Sequence, residues 1–441
     1  MNYSAISLVD TSSNHNLVII AIVMTNSPRF FIYIMFIFLW VGCNQKKSVM
    51  TDIQPADSIQ GPQTFLDDVN FLKKFTNTIV LRDSTGQGQI AVCAALQGRV
   101  MTSTSGGDAG SSYGWINREA FTSGDTSEHI NVFGGEDRIW LGPEGGQFSI
   151  YFSKGKEFNL DNWYVPRVID LDPYEVSSST SSEAVFTKDA ELTNYSGAVF
   201  NIALKRTIRL IERDEALKTL GLGNEARELS SVAFESINEL KNNGRDAWKK
   251  ETGLLSVWIL GMFNPSPGAV IIIPYAGDKN ELKQIVNDSY FGRIPDDRLK
   301  LVGNTVFFKA DGEYRSKIGL LPDDAPEHMG SYDPDNGVLT VVKYSKPANE
   351  RDYVNSLWEI QKEPYRGDAI NAYNDGPPSP GAKPLGPFFE LETSSPAKEL
   401  QPGKSITHSH ATFHFEGSEI QLDPIMKKLF NISIEEAKEA F

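Results

Sequence analysis

From Thr78 onward the chain reads as short apolar runs, some alternating with polar residues and some continuous. Examples are Ile79-Val80-Leu81, Gly98-Arg99-Val100-Met101-Thr102, Phe148-Ser149-Ile150-Tyr151-Phe152, Val257-Trp258-Ile259-Leu260, Val270-Ile271-Ile272-Ile273 and Leu339-Thr340-Val341-Val342. Gly, Asn, Asp and Pro punctuate them, a pattern that predicts β strands joined by turns. Helical spacing is rare. It appears at Phe65, Leu66, Val69, Phe71, Leu72 and Phe75, at Arg213–Leu220, and from Ile432 to Phe441, where Asn431-Ile432-Ser433 precedes acids in a first turn. No alternation of strands with helices and no short repeat is present, which argues against doubly wound, solenoid and propeller folds. With 36 glycines, 23 prolines and 11% aromatics, the expected fold class is all-β: one large sandwich over residues 64–441 with few short helices.

The N-terminal pattern differs. Arg29 precedes an apolar run from Phe30 to Val41, and Gly42-Cys43 follows. A positive residue, a short apolar core and a small residue before the cut describe a secretory signal over residues 1–42. The Gly-Cys junction resembles that of a bacterial lipoprotein, with Trp40 where Leu is usual, and implies that Cys43 carries the lipid. Met24 offers an alternative start, leaving 1–23 outside the signal. A single membrane anchor is the competing reading, but the apolar run is short for a span. Residues 43–63 are polar and aperiodic, as a tether would be. The protein is therefore expected in the cell envelope, lipid-anchored on a periplasmic or surface-exposed face.

Charge narrows the partners. The full chain carries −15, and loss of residues 1–42 removes one charge of each sign. That balance argues against nucleic acid and anionic membrane surfaces. With Cys43 acylated, only Cys93 remains, so no intrachain disulfide and no cysteine metal site is expected. Cys93 lies in the apolar run Ile90–Ala95 and reads as a buried thiol.

Two stretches hold candidate chemistry. In Phe388-Phe389-Glu390-Leu391-Glu392-Thr393, alternation puts Glu390 and Glu392 on one strand face and Phe389, Leu391 and Thr393 on the other. Like charges at that spacing raise one pKa, a preparation for acid–base work. After the turn Pro402-Gly403, His408, His410, Thr412 and His414 share one face of a strand at 406–415. Acids on one strand and imidazoles on the next predict a shared site. His408 and His410 could also hold one divalent ion, with Glu392 or Glu136 as third ligand; no other cofactor is expected. The second stretch, Gly134 to Gln147, surrounds Glu136, Asp137, Arg138, Trp140 and Glu144 with five glycines. Trp beside Arg and acids suits a sugar subsite, an aromatic plate with hydrogen-bonding groups for hydroxyls; a tight turn region with its own salt bridges is the alternative. Asp375, in the turn Asn374-Asp375-Gly376-Pro377, and Lys317, in Arg315-Ser316-Lys317, are further candidates.

Leu391-Glu392-Thr393-Ser394, Pro402-Gly403-Lys404 and the strand at 406–415 resemble the C-terminal pattern of aldose 1-epimerases (galactose mutarotases), with Ser394 where that family has Gln and Lys404 where it has Glu. The resemblance assigns Glu392 to the catalytic base. The family's mid-chain histidine has no counterpart: Leu192-Thr193-Asn194-Tyr195-Ser196-Gly197 lacks one, and only His129 and His328 lie between residues 44 and 407. His408, His410, Tyr195 and Lys317 are the candidate substitutes for the acid. A second resemblance, to a family of secreted bacterial proteins of unknown function, rests on Gln97–Ser103, Gly114–Asn117, Gly134–Gln147, Trp258–Phe263, Arg315–Leu320 and Tyr373–Pro377. It covers about residues 65–416 and implies a galactose mutarotase-like β-supersandwich without a known reaction.

The function expected is carbohydrate binding in a β-sandwich cleft of an envelope lipoprotein, whether or not the protein is an enzyme. Epimerase-like catalysis would use Glu392 and His408, with Glu136, Arg138, Trp140, Glu390, His410, Asp375 and Lys317 as sugar contacts. Glycan binding without turnover, and glycoside hydrolysis or polysaccharide lysis on the same scaffold, stay open.

Overall fold

The computed structural model describes residues 63–275 and 277–441, and the backbone of 6–8 and 19–21. Most of the expected signal segment, Cys43 and most of the expected tether lie outside the described residues. Within residues 1–59, Ile6–Leu8 pairs antiparallel with Ile19–Ala21. Residues 60–441 form the second unit.

That unit is built on two large antiparallel sheets. One has ten strands, in the order Leu299–Val302, Thr305–Lys309, Val270–Pro274, His328–Asp333, Val338–Tyr344, Ser405–Glu416, Ser230–Asn242, Val199–Leu210, Glu183–Thr193 and Glu175–Ser179. The other has five: Ser316–Leu320, Ile370–Asn374, Phe389–Ser394, Ser256–Phe263 and Arg138–Gly142. A three-stranded sheet, Thr78–Arg82, Gln89–Cys93 and Arg99–Thr104, packs with the helix Phe65–Leu72.

Burial follows from strand alternation. Ile318, Ala372, Leu391 and Phe389 of the five-stranded sheet meet Ile271, Ile273, Met329 and Val342 of the ten-stranded one. Farther along, Ile139, Leu141, Val257 and Ile259 meet Phe186, Ile208, Phe234 and Leu240. The opposite face of the ten-stranded sheet is covered around Val341, Phe413 and Phe415 by the helices Arg213–Leu220, Glu419–Phe430 and Ile434–Lys438. The remaining face of the five-stranded sheet carries the polar residues described below.

The expected all-β architecture is what the chain adopts, with three local corrections. Phe148–Phe152 is not a strand: Ser149 N bonds to Gly146 O and Ile150 N to Pro143 O, so the apolar run wraps as a turn while its aromatic rings are buried. Glu419–Phe430 is a helix despite Pro424, started by a capping box in which Ser418 and Gln421 satisfy each other's backbone. Asn431 ends that helix in the left-handed region (φ 57°), and Ser433 caps the next one through Glu436. Cys93 is buried, and burial pushes its thiol up to about 11.

Candidate functional site

The face of the five-stranded sheet turned away from the ten-stranded one assembles its side chains by register, and they are buried there. Glu392 lies opposite Leu260 on one side and Asn371 on the other, and Glu390 lies opposite Met262 and Tyr373. Lys317 pairs with Tyr373, Arg138 with Leu260 and Trp140 with Trp258. In an antiparallel sheet, directly opposed residues project to the same side. Glu390, Glu392, Lys317, Trp258, Arg138 and Trp140, drawn from four strands, therefore share one surface.

Glu392 is fully buried and held through one oxygen. Trp258 Nε1 and Lys317 Nζ each donate to its Oε2 at 2.9 Å. Its Oε1 is buried without a partner. The Lys317 ammonium also lies 4.5 Å above the Trp258 ring and 5.5 Å from that of Tyr290. Burial disfavours the Lys317 charge, but Glu392, Glu390 and Glu144 outweigh it and hold the ammonium's pKa above its usual value. Glu390 is 7% exposed. Burial first, then the Glu392 charge, pushes its carboxyl well above the ordinary carboxylate range, with Lys317 and Arg138 pulling the other way. Two carboxyls on one face thus meet different environments, one held by a cation and the other pushed toward its protonated form by burial and its neighbour's charge.

Aromatic rings flank the pair. Arg138 stacks 4.3 Å over Trp140 and donates to Asp170 Oδ1 at 2.8 Å, leaving its Nε and one terminal nitrogen without partners. From Trp140 the rings continue through Tyr151 (5.5 Å) and Trp163 (6.1 Å) to Trp358 (5.8 Å). Trp358 Nε1 donates to Glu144 at 3.0 Å, while burial raises the Glu144 pKa. On the other side Tyr290 donates to Asp368, which burial also raises; Asn287 and Asn371 complete that group.

Of the candidate residues, Glu390, Glu392, Lys317, Arg138 and Trp140 come together here. His408 and His410 do not. Their strand belongs to the ten-stranded sheet, and they meet the Glu392 strand from inside the sandwich. The Thr393 hydroxyl sits 2.8 Å from His408 Nε2 and 2.8 Å from His410 Nδ1. Thr393 and Glu392 point to opposite faces, so neither imidazole reaches the Glu392 side. Burial lowers His408 to about 3 and His410 to about 4, keeping both neutral. Among the described residues no group of three His, Cys, Asp or Glu side chains is placed to hold a metal, so His408 and His410 gain neither Glu392 nor Glu136 as a third ligand. Glu136 is buried elsewhere, 2.9 Å from His414 Nε2 and accepting from Ser103 at 2.8 Å. Asp375 accepts from Tyr373 OH (2.5 Å) and Gly386 N (2.8 Å). Tyr195 donates to the Lys156 carbonyl. The glycine-rich stretch serves the protein's own chain: a Cβ on Gly145 would lie 2.3 Å from Leu357 O.

Sequence reasoning missed Trp258, Asp170, Trp163, Tyr290 and Trp358. Trp258 alone carried a signal, as an aromatic at even spacing from Leu260 and Met262 in a strand otherwise read as core.

Fold and site together define a large two-sheet β-sandwich protein with a buried carboxyl pair on the outer face of its smaller sheet. The chain belongs to the Family of unknown function (DUF6786), whose model matches residues 63–441. No curated protein matches it. In structure it is similar to a protein of Synechocystis sp. PCC 6803 (14% identity, 78% of this chain and 96% of that one, TM-score 0.46). It is also similar to a putative aldose 1-epimerase of Escherichia coli K12 (12%, 78% and 100%, TM-score 0.45) and to a galactose mutarotase-like protein of Lactobacillus casei (11%, 77% and 100%, TM-score 0.45). At such scores the likeness transfers no residue role and no reaction.

Proposed function

We propose that this protein binds a sugar on the outer face of the five-stranded sheet and exchanges protons with it through Glu390 and Glu392. The observation that carries this reading is the unequal carboxyl pair: a Glu392 carboxylate with a free buried oxygen, beside a Glu390 carboxyl pushed toward its protonated form. In this scheme Glu392 takes the proton of the anomeric hydroxyl while Glu390 gives its proton to the ring oxygen. The C1–O5 bond breaks, C1 becomes a carbonyl, and reclosure on either face returns both protons. Glu390 thereby fills the acid role for which His408 was the sequence candidate. Trp258 and Trp140 supply apolar plates, and the unpartnered nitrogens of Arg138 supply donors for hydroxyls.

Glycan binding without turnover is the second reading. The Lys317–Glu392 ion pair at 2.9 Å favours it, because a cation at that distance weakens a carboxylate as a base. Anomer exchange, followed by NMR with a panel of aldoses, separates the two. Acceleration that is lost in Glu392→Gln supports proton transfer. Binding that survives without acceleration supports the second reading, and no binding to any sugar or glycan overturns both.

We further propose that Cys43 is the acylated residue that anchors the protein to a membrane in the cell envelope. Cys43→Ser is expected to move the protein from the membrane to the soluble fraction; unchanged sedimentation would end that proposal.

A further inference from the structure

We propose that the sugar taken by this site is acidic, a uronic acid or a glycan built from them, with its carboxylate on Arg315; this rests on the carbohydrate reading above. Arg315 directly precedes the edge strand Ser316–Leu320. Because Ser316 pairs with Asn374, Arg315 lies opposite Asp375 and two residues from Lys317, on the face that carries Glu390 and Glu392. Two residues span ~6.6 Å at ~3.3 Å each, about one sugar ring from Lys317, which donates to Glu392.

The cations of this face are not equivalent. Lys317 is matched by Glu392 at 2.9 Å and Arg138 by Asp170 at 2.8 Å. Arg315 has no such partner among the described residues. Its Nε is buried and unbonded, and its guanidinium lies 4.1 Å over the ring of Phe291, which is 47% exposed and 6.0 Å from Tyr373. The nearby Asp375 oxygens are engaged by Tyr373 OH and Gly386 N. A partly desolvated guanidinium stacked on an exposed ring, with Asp375 and Glu144 in its field but bonded to neither, keeps its fork free for an incoming anion.

The surroundings select the kind of anion. Glu390, Glu392, Glu144 and Asp375 all act in this region, and the Arg315 charge, bonded to none of them, already lies in the field of Glu144 and Asp375. A planar monoanion satisfies that charge and fits the guanidinium in bidentate fashion. A dianionic phosphate would leave one negative charge facing carboxyls.

Calorimetric titration of the full chain with trigalacturonate, its methyl ester, galactotriose and galactose 6-phosphate tests this. The ester keeps the sugar and removes the charge. The expected result is trigalacturonate binding roughly tenfold tighter than its ester, a preference that shrinks at high salt. In Arg315→Ala the preference falls to near unity, with ester affinity and melting temperature unchanged; Arg315→Lys retains part of it. Equal binding of acid and ester, survival of the preference in Arg315→Ala, or tighter binding of the phosphate sugar overturns the assignment. If the neutral sugars bind but the acid is not preferred, this inference fails and the carbohydrate reading stands. If none of the four binds, both fail.

Discussion

The strand Phe389–Ser394 separates two clusters of ionisable side chains that differ in charge. On its outer face, Glu392 Oε1 and two Arg138 nitrogens are buried and unbonded, and Glu390 is pushed toward its neutral form. On its inner face, Thr393 bridges His408 and His410, His410 Nε2 is likewise buried and unbonded, and burial strips both imidazoles of charge. Glu392 of one set and Thr393 of the other are adjacent in the chain. Unbonded atoms occur on both faces, so what separates the clusters is charge: the outer one keeps a carboxylate–ammonium pair, and the inner one is neutral. The inner cluster, closed between the sheets, is a polar rivet.

The contrast is sharpest in Glu392→Gln. The amide keeps size and one acceptor but takes no proton. If this face performs proton transfer, the rate falls by a factor of about 10² to 10⁴, and the melting temperature, read by circular dichroism, falls as well because Lys317 loses its buried counter-charge. Full activity in this variant would erase the distinction between the faces.

The inner face answers to pH instead. Folded His408 and His410 titrate near 3 and 4, below the unfolded value of about 6.5. The unfolded chain therefore binds more protons as pH falls, and stability is fully present above about 6.5. It declines between there and about 4 by roughly 1.4 kcal/mol per histidine per pH unit, or about 4 kcal/mol for the pair between pH 7 and 5. Urea midpoints across that range check this, and His408→Gln should remove about half of the slope. A flat profile would mean that the imidazoles gain protons without unfolding.

A smaller effect is expected from Thr393→Val. Losing the bridging hydroxyl leaves buried imidazole nitrogens unpaired, at about 1–3 kcal/mol, measured as a lower denaturant midpoint. Sugar affinity should stay within a factor of about two, because the change lies on the far side of the strand. A large loss of affinity would show that the two faces are coupled.

Much of the architecture was legible. Alternation placed Glu390 and Glu392 on one face and the three histidines on another, and the turn residues marked most strand ends. What alternation does not carry is the sheet each strand joins. Phe389–Ser394 and Ser405–Glu416 look like neighbours in sequence but belong to different sheets, so acids and imidazoles expected to face each other are divided by the strand that bears the acids. The partners of Glu392 are long-range as well: Trp258 lies 134 residues away and Lys317 75. Pro424 hid a helix whose capping box was readable at Ser418 and Gln421. Phe148–Phe152 shows the opposite failure, since an apolar run marks burial and not extension.

Those long separations also set an order of events. The cluster around Glu392 exists only once strands from residues 138, 258, 317 and 392 have all docked in one sheet, each across a large loop whose closure is slow and entropically opposed. The indole of Trp258, buried beneath the Lys317 ammonium and bonded to the carboxylate, meets that environment only when the last of them arrives. Its fluorescence would time completion of the sheet, and ligand binding would count the molecules that have finished folding.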